Sequence, residues 1–111
     1  MRNKALVIQD NQTESFDENA FMTARNLVAE YCSTVTVALS AIKTAQYRCV
    51  VVSMDMVRED PIEIIGALRC AENELGLSPT QILVAGHSRQ PTFDEMEKFN
   101  ISAQIRSHHL K

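Results

Sequence analysis

The sequence predicts an α/β fold: one domain built on a parallel sheet with helices on both faces. Three observations predict it. Short continuous apolar runs recur along the chain, at residues 5–8 (ALVI), 49–52 (CVVV) and 81–86 (QILVAG). A continuous run, unlike an alternating one, marks a strand buried on both faces. Between these runs stand helix-start signals followed by apolar residues at helical spacing, so strand and helix alternate. Finally, 111 residues, 45% of them hydrophobic, suffice for one domain with its own core and not for two.

Each element has its own justification. Residues 5–8 make the first strand. Ser15 and Glu18 are spaced as a capping box, in which each side chain satisfies a free backbone N–H at the start of a helix. Behind them Ala20, Phe21, Ala24, Leu27, Val28 and Tyr31 recur at helical spacing, which predicts one long first helix. Residues 34–37 (TVTV) are β-branched and predict a second strand, with a short helix over 40–46. Residues 49–52 make the third strand. Asp60 then caps a helix, Pro61 fits its first position, and Glu63 completes the start signal. Ile64, Ile65, Leu68, Ala71 and Leu75 form the stripe expected to be buried, and Gly76 ends the helix. Residues 81–86 make the fourth strand. Thr92 and Glu95 form another box, opening a brief helix with Phe93, Met96 and Phe99 along one side, expected to be core. Residues 103–106 complete the sheet as a fifth strand.

Composition excludes several classes of function. A net charge of −3 gives no reason to expect nucleic-acid or anionic-membrane binding. No apolar run approaches the ~18 residues of a membrane span, and MRNKALVIQD turns polar too soon for a signal peptide. Cys32, Cys49 and Cys70 are an odd count without a CxxC pair, which reads as reduced thiols of a cytoplasmic protein. His108 and His109 are adjacent, so in extended chain they face opposite ways and make a poor metal pair. Gly86-His87-Ser88-Arg89 lacks the glycines and lysine of a phosphate cradle, and His87 beside Ser88 has no nucleophile-elbow pattern.

In a parallel sheet, ligands and chemistry gather beyond the carboxyl ends of the strands. Those ends carry Asp10, Ser53, Gly86-His87-Ser88 and Ser107. The third strand is the most informative. YRCVVVSMDMVRED (residues 47–60) runs apolar up to Ser53, then delivers Asp55 and further charge. Met54 and Met56, two flexible apolar side chains at this edge, read most simply as loop packing and alternatively as a partner-binding surface.

The chain resembles the receiver domain of two-component response regulators over nearly its whole length. ALVIQDN (residues 5–11) is similar to that family's first strand and acidic pair. YRCVVVSMDMVREDPIEIIGALR (47–69) is similar, without a gap, to its third strand, phosphorylation loop and third helix, with Val57 in place of the usual loop proline and Pro61 of the usual glycine. ILVAGHS (82–88) and FNISAQIRS (99–107) are similar to the segments carrying its signalling hydroxyl and its lysine. The resemblance implies a flavodoxin-like, five-stranded parallel sheet in the order 2-1-3-4-5. The chain ends just past the fifth strand, so the fifth helix is expected to be absent or truncated.

The resemblance also implies a site. In the family, two acids and an acceptor aspartate hold magnesium, the aspartate is the nucleophile, and a hydroxyl and a lysine bind the phosphoryl group. Carried over residue by residue, the acids fall on Gln9 and Asp10, the acceptor on Ser53, the hydroxyl on Gly86 and the lysine on Ser107. Only Asp10 matches. A serine hydroxyl is too weakly acidic to replace a carboxylate nucleophile without a general base. Asp10 alone should bind Mg²⁺ poorly, because that ion wants several hard oxygen ligands. The expectation is therefore a pseudo-receiver, not an enzyme and without a cofactor, that acts through a protein partner. A homodimer is the preferred form, through the surface near the first helix and the fifth strand around Ile105, left bare by the missing helix. Two alternatives stand beside it. A register slip of two residues, the strand period, would make Asp55 the phospho-acceptor. Alternatively, the crevice around Asp10, Gly86 and Ser88 binds a small ligand.

Overall fold

The computed structural model describes residues 3–10, 18–86 and 90–105, without the side chains of residues 18–20. Five strands alternate with four helices: β1 (Lys4–Ile8), α1 (Glu18–Arg25), β2 (Val28–Cys32), α2 (Val35–Thr44), β3 (Cys49–Ser53), α3 (Pro61–Leu75), β4 (Gln81–Ala85), α4 (Phe93–Lys98) and β5 (Ile101–Ile105). The strands form one sheet in the order β2-β1-β3-β4-β5, and every pairing is parallel. This is the flavodoxin-like topology expected from the sequence.

Successive strand residues point to opposite faces, and the two faces build two separate cores. Leu6, Ile8, Val50, Val52, Ile82, Val84 and Ile101 pack with Ala38 and Ile42 of α2, with Ile64, Ile65, Leu68 and Ala71 of α3, and with Met96 beyond them. Ala5, Val7, Cys49, Val51, Leu83 and Ala85 turn the other way, onto Phe21 and Met22 of α1. Among the described residues, three helices thus pack on one face and α1 on the other. β3, central in the sheet, is buried at all five residues, which is why its sequence is a continuous apolar run.

Three sequence expectations need correction. The first helix stops at Arg25, because Asn26 takes a left-handed conformation (φ 55°) and turns the chain. The Leu27 N–H then returns to the Met22 carbonyl, closing the helix end. Leu27, Val28 and Tyr31 keep helical spacing with α1, yet Val28–Cys32 is the second strand. Residues 34–37, expected as that strand, open α2 instead: Thr34 is its N-cap, with Oγ1 accepting from the Val37 N–H at 3.2 Å. Tertiary packing of Val35, Ala38, Leu39 and Ile42 overrides the β preference of the branched residues. Finally, Leu75 and Phe93 are not core. Leu75 is 49% exposed and Phe93, at the start of α4, is 76% exposed.

The helix signals at Asp60, Pro61, Gly76 and Thr92 hold, while Glu63 does not close a capping box on α3. Asp60 caps α3, Pro61 begins it, and Gly76 (φ 68°) ends it. Thr92 and Glu95 form the reciprocal capping box of α4. Gly66 lets α4 close on α3, since a Cβ there would sit 3.2 Å from the Phe99 ring. β5 begins at Ile101, earlier than expected. The Ser15 box, the end of the fifth strand at Arg106 and everything beyond it lie outside the described residues.

Candidate functional site

The parallel register brings the predicted positions to one edge. Ile8 of β1 pairs with Val52 of β3, so Gln9 and Asp10 leave the sheet beside Ser53. Ser53 pairs with Ala85, so Gly86 follows on its other side. Four of the five site positions, Gln9, Asp10, Ser53 and Gly86, therefore meet at the carboxyl edge. Ser107, His87, Ser88, Arg89, His108 and His109 lie outside the described residues.

Asp10 is 2% exposed. Its Oδ2 accepts the Val57 N–H at 3.0 Å, tying the end of β1 to the loop between β3 and α3. Ser53 is also 2% exposed, and its Oγ accepts the Asp55 N–H at 3.3 Å. Asp55 is half-buried in a turn two residues past the end of β3. The flanking Met54 and Met56 are buried (1% and 7% exposed) in the core under α2 and α3. They are loop packing, so the partner-surface reading of these methionines is set aside. The Met54 N–H continues the ladder to the Ala85 carbonyl at 2.7 Å. Gln9 donates its backbone N–H to the Cys32 carbonyl, while its side-chain Oε1 is buried without a hydrogen-bond partner among the described residues.

The same loop touches two helices. Glu59 Oε1 accepts the Val35 N–H at 2.8 Å, satisfying a free donor at the start of α2. Asp60 Oδ1 accepts the Ile62 N–H at 2.9 Å in the first turn of α3. Sequence reading identifies the cap on α3 but not Glu59, because its partner lies 24 residues away.

Around the edge, the chemistry is quiet. Among the described residues, no three His, Cys, Asp or Glu side chains are grouped to hold a metal ion. All three cysteines are free thiols, Cys32 and Cys49 buried and Cys70 exposed. Burial pushes the Cys32 thiol up to about 11 and raises Cys49 as well, so both stay protonated and inert at neutral pH. A cavity of about 360 Å³ opens at the opposite, amino edge of the sheet, lined by Tyr47, Arg48, Leu77 and Gln81 among others. A shallower one, of about 470 Å³, lies between the start of α2 and α3, lined by Val35, Glu59 and Glu63.

The fold is that of CheY-like response regulator receiver domains. A receiver domain from Methylobacillus flagellatus superimposes with a TM-score of 0.71 at 16% identity, over 96% of this chain and 86% of that one. The chemotaxis response regulator CheY4 of Vibrio cholerae gives 0.67 at 13% identity, over 96% and 87%. The Saccharomyces cerevisiae receiver domain of Ssk1, solved with the histidine phosphotransfer protein Ypd1, gives 0.69 at 13%, over 95% and 78%. No protein-family model and no curated protein sequence matches the chain. No helix among the described residues is long and apolar enough to cross a membrane.

Proposed function

We propose that this chain is a degenerate receiver, a cytoplasmic signalling domain that works by protein–protein interaction and has largely lost the phosphotransfer site. The observation that carries the reading is the chemistry at the end of β3. Ser53, a buried hydroxyl, stands where the acceptor carboxylate is expected, and the neighbouring Asp10 carboxylate is bonded to the loop backbone. The donor set does not fit magnesium. Gln9 and Ser53 are neutral, and Asp10 brings one carboxylate where the ion needs several hard oxygens. No resident cofactor and no enzymatic activity belong to the proposal.

The test is incubation with a small phosphodonor and Mg²⁺, followed by intact mass and peptide mapping. No stable adduct is expected. A hydroxylamine-labile phosphate on Asp55 would overturn the reading and make this a working receiver. A second reading places a small ligand in the crevice around Asp10, Gly86 and Ser88, next to the buried Gln9 Oε1, which has no hydrogen-bond partner among the described residues. A ligand that raises the melting temperature without Mg²⁺, and no longer does so in Gln9→Leu, would support it.

The partner in this proposal is a protein, as Ypd1 is for the Ssk1 receiver. Self-pairing through the surface near α1 and β5, around Ile105, stays part of the proposal as the preferred form expected from the sequence. Leu83 and Ala85 on that face are 7% and 0% exposed, and Ile105 is half-buried against them. Association with a second copy remains an outcome to be measured.

A further inference from the structure

We infer that Asp10 is the latch of the β3–α3 loop, and that through Glu59 the latch reaches the start of α2. The loop then keeps one conformation without a metal ion or a phosphoryl group. The inference rests on the reading above only in that Asp10 holds backbone and not magnesium.

The loop is tied to a different element every few residues. The Met54 N–H holds it to β4, and Met54 and Met56 plug the core beneath it. Val57 gives its N–H to Asp10, at the end of β1. Glu59, two residues on, takes the Val35 N–H of α2, and Asp60 caps α3. The Asp10 bond is made by a buried side chain. Its carboxyl group is buried, and a hydrogen bond in such a low-dielectric setting is stronger than one in water. Val57 itself turns its side chain outward, 76% exposed, so the loop is held here by its backbone. One residue separates Val57 from Glu59, which leaves few free dihedrals between the two bonds. Releasing Val57 therefore also releases the position from which Glu59 caps α2.

Amide hydrogen exchange on the whole chain, read by NMR, tests this. The Val57 and Val35 amides report the two bonds, and the Val7 and Val51 amides serve as internal references in the sheet. Asp10→Ala is expected to speed exchange at both Val57 and Val35 by about tenfold or more, with the references unchanged. Val57→Pro removes the donor and leaves the carboxylate. It is expected to speed Val35 to a similar degree, and it carries the test should Asp10→Ala fail to fold. Glu59→Ala is expected to speed Val35 alone. A Val35 amide indifferent to both Asp10→Ala and Val57→Pro overturns the latch. So does a loss of Val57 protection when Mg²⁺ is added to the unaltered protein, since the ion would then be taking the carboxylate. A phosphoryl adduct on Asp55 with both amides behaving as expected sinks the functional reading and leaves the latch standing.

Discussion

Arg69 reaches from α3 to the backbone carbonyls of Thr80, Phe99 and Asn100, each at 2.8 Å, and to the Glu72 carboxylate at 2.9 Å. Glu72 in turn accepts the Thr80 N–H through its other oxygen. The pair is largely buried, and removing one partner leaves the other charge uncompensated. Arg69→Ala should therefore cost about 3–5 kcal/mol in chemical denaturation, far more than an exposed pair such as Lys4–Glu30. A second prediction concerns pH. Burial, with the Glu30 hydrogen bond added to it, pushes the Tyr47 hydroxyl up to about 12, and burial holds the Cys32 thiol at about 11. For both groups the folded value lies above the unfolded one. Their contribution is intact below the unfolded values, near 9 for the thiol and 10 for the phenol, and is lost as pH rises through about 11 to 12. Tyr47→Phe should flatten the alkaline arm of a stability–pH curve. The Glu30 carboxylate, lowered first by the Tyr47 hydrogen bond and then by the Lys4 one, acts in the opposite sense, its bonds fading as pH falls. Thiol labelling of the native protein should modify Cys70 first, because Cys32 and Cys49 are buried.

At the level of elements, the turn after α1 shows what is legible in the sequence and what is not. Asn26 sits at φ 55°, where an L side chain is strained and asparagine or glycine is tolerated. Asn26→Gly should be neutral or slightly stabilising, while Asn26→Val should cost about 1–2 kcal/mol by thermal or chemical unfolding. That asparagine is the local signal for the end of the helix, and the helical spacing of Leu27, Val28 and Tyr31 outweighs it. The strands buried on both faces, β1, β3 and β4, are legible almost to the residue, because a short continuous apolar run bounded by polar residues fits a doubly covered strand and little else. β2 lies at the edge of the sheet, with Val28 and Tyr31 exposed, so its sequence carries no such run. α3 is legible from Asp60, Pro61 and Gly76 because its signals are local. At the site, the meeting of Gln9, Asp10, Ser53 and Gly86 follows from the expected strand order. The bond from Asp10 to Val57 does not, since a contact between residues 47 apart leaves no local mark.

For the whole molecule, a receiver site is a unit whose parts act together, so its repair should be non-additive. Ser53→Asp alone should give no robust adduct with a small phosphodonor. Gln9→Asp, Gly86→Thr and Ser107→Lys are expected to be needed as well, with phosphorylation measured by intact mass. A high yield from the single change would show that these positions are wrongly assigned. Light scattering across a concentration series should return a dimer; a strict monomer would rule out self-pairing through the face near Ile105. The strand order carries one more consequence, for the way the chain is made. Every pairing in the sheet is parallel, so no strand can meet its neighbour through a hairpin, and each must wait for a helix to cross over. β1 leaves the ribosome first yet belongs beside β3, and it has only the edge strand β2 for company until β3 emerges. Contacts of such long reach slow a folding reaction, because the closure of the intervening chain precedes the contacts that reward it. An apolar segment such as ALVI is therefore solvent-exposed during much of its own synthesis, and the nascent chain is at its most aggregation-prone just before β3 arrives.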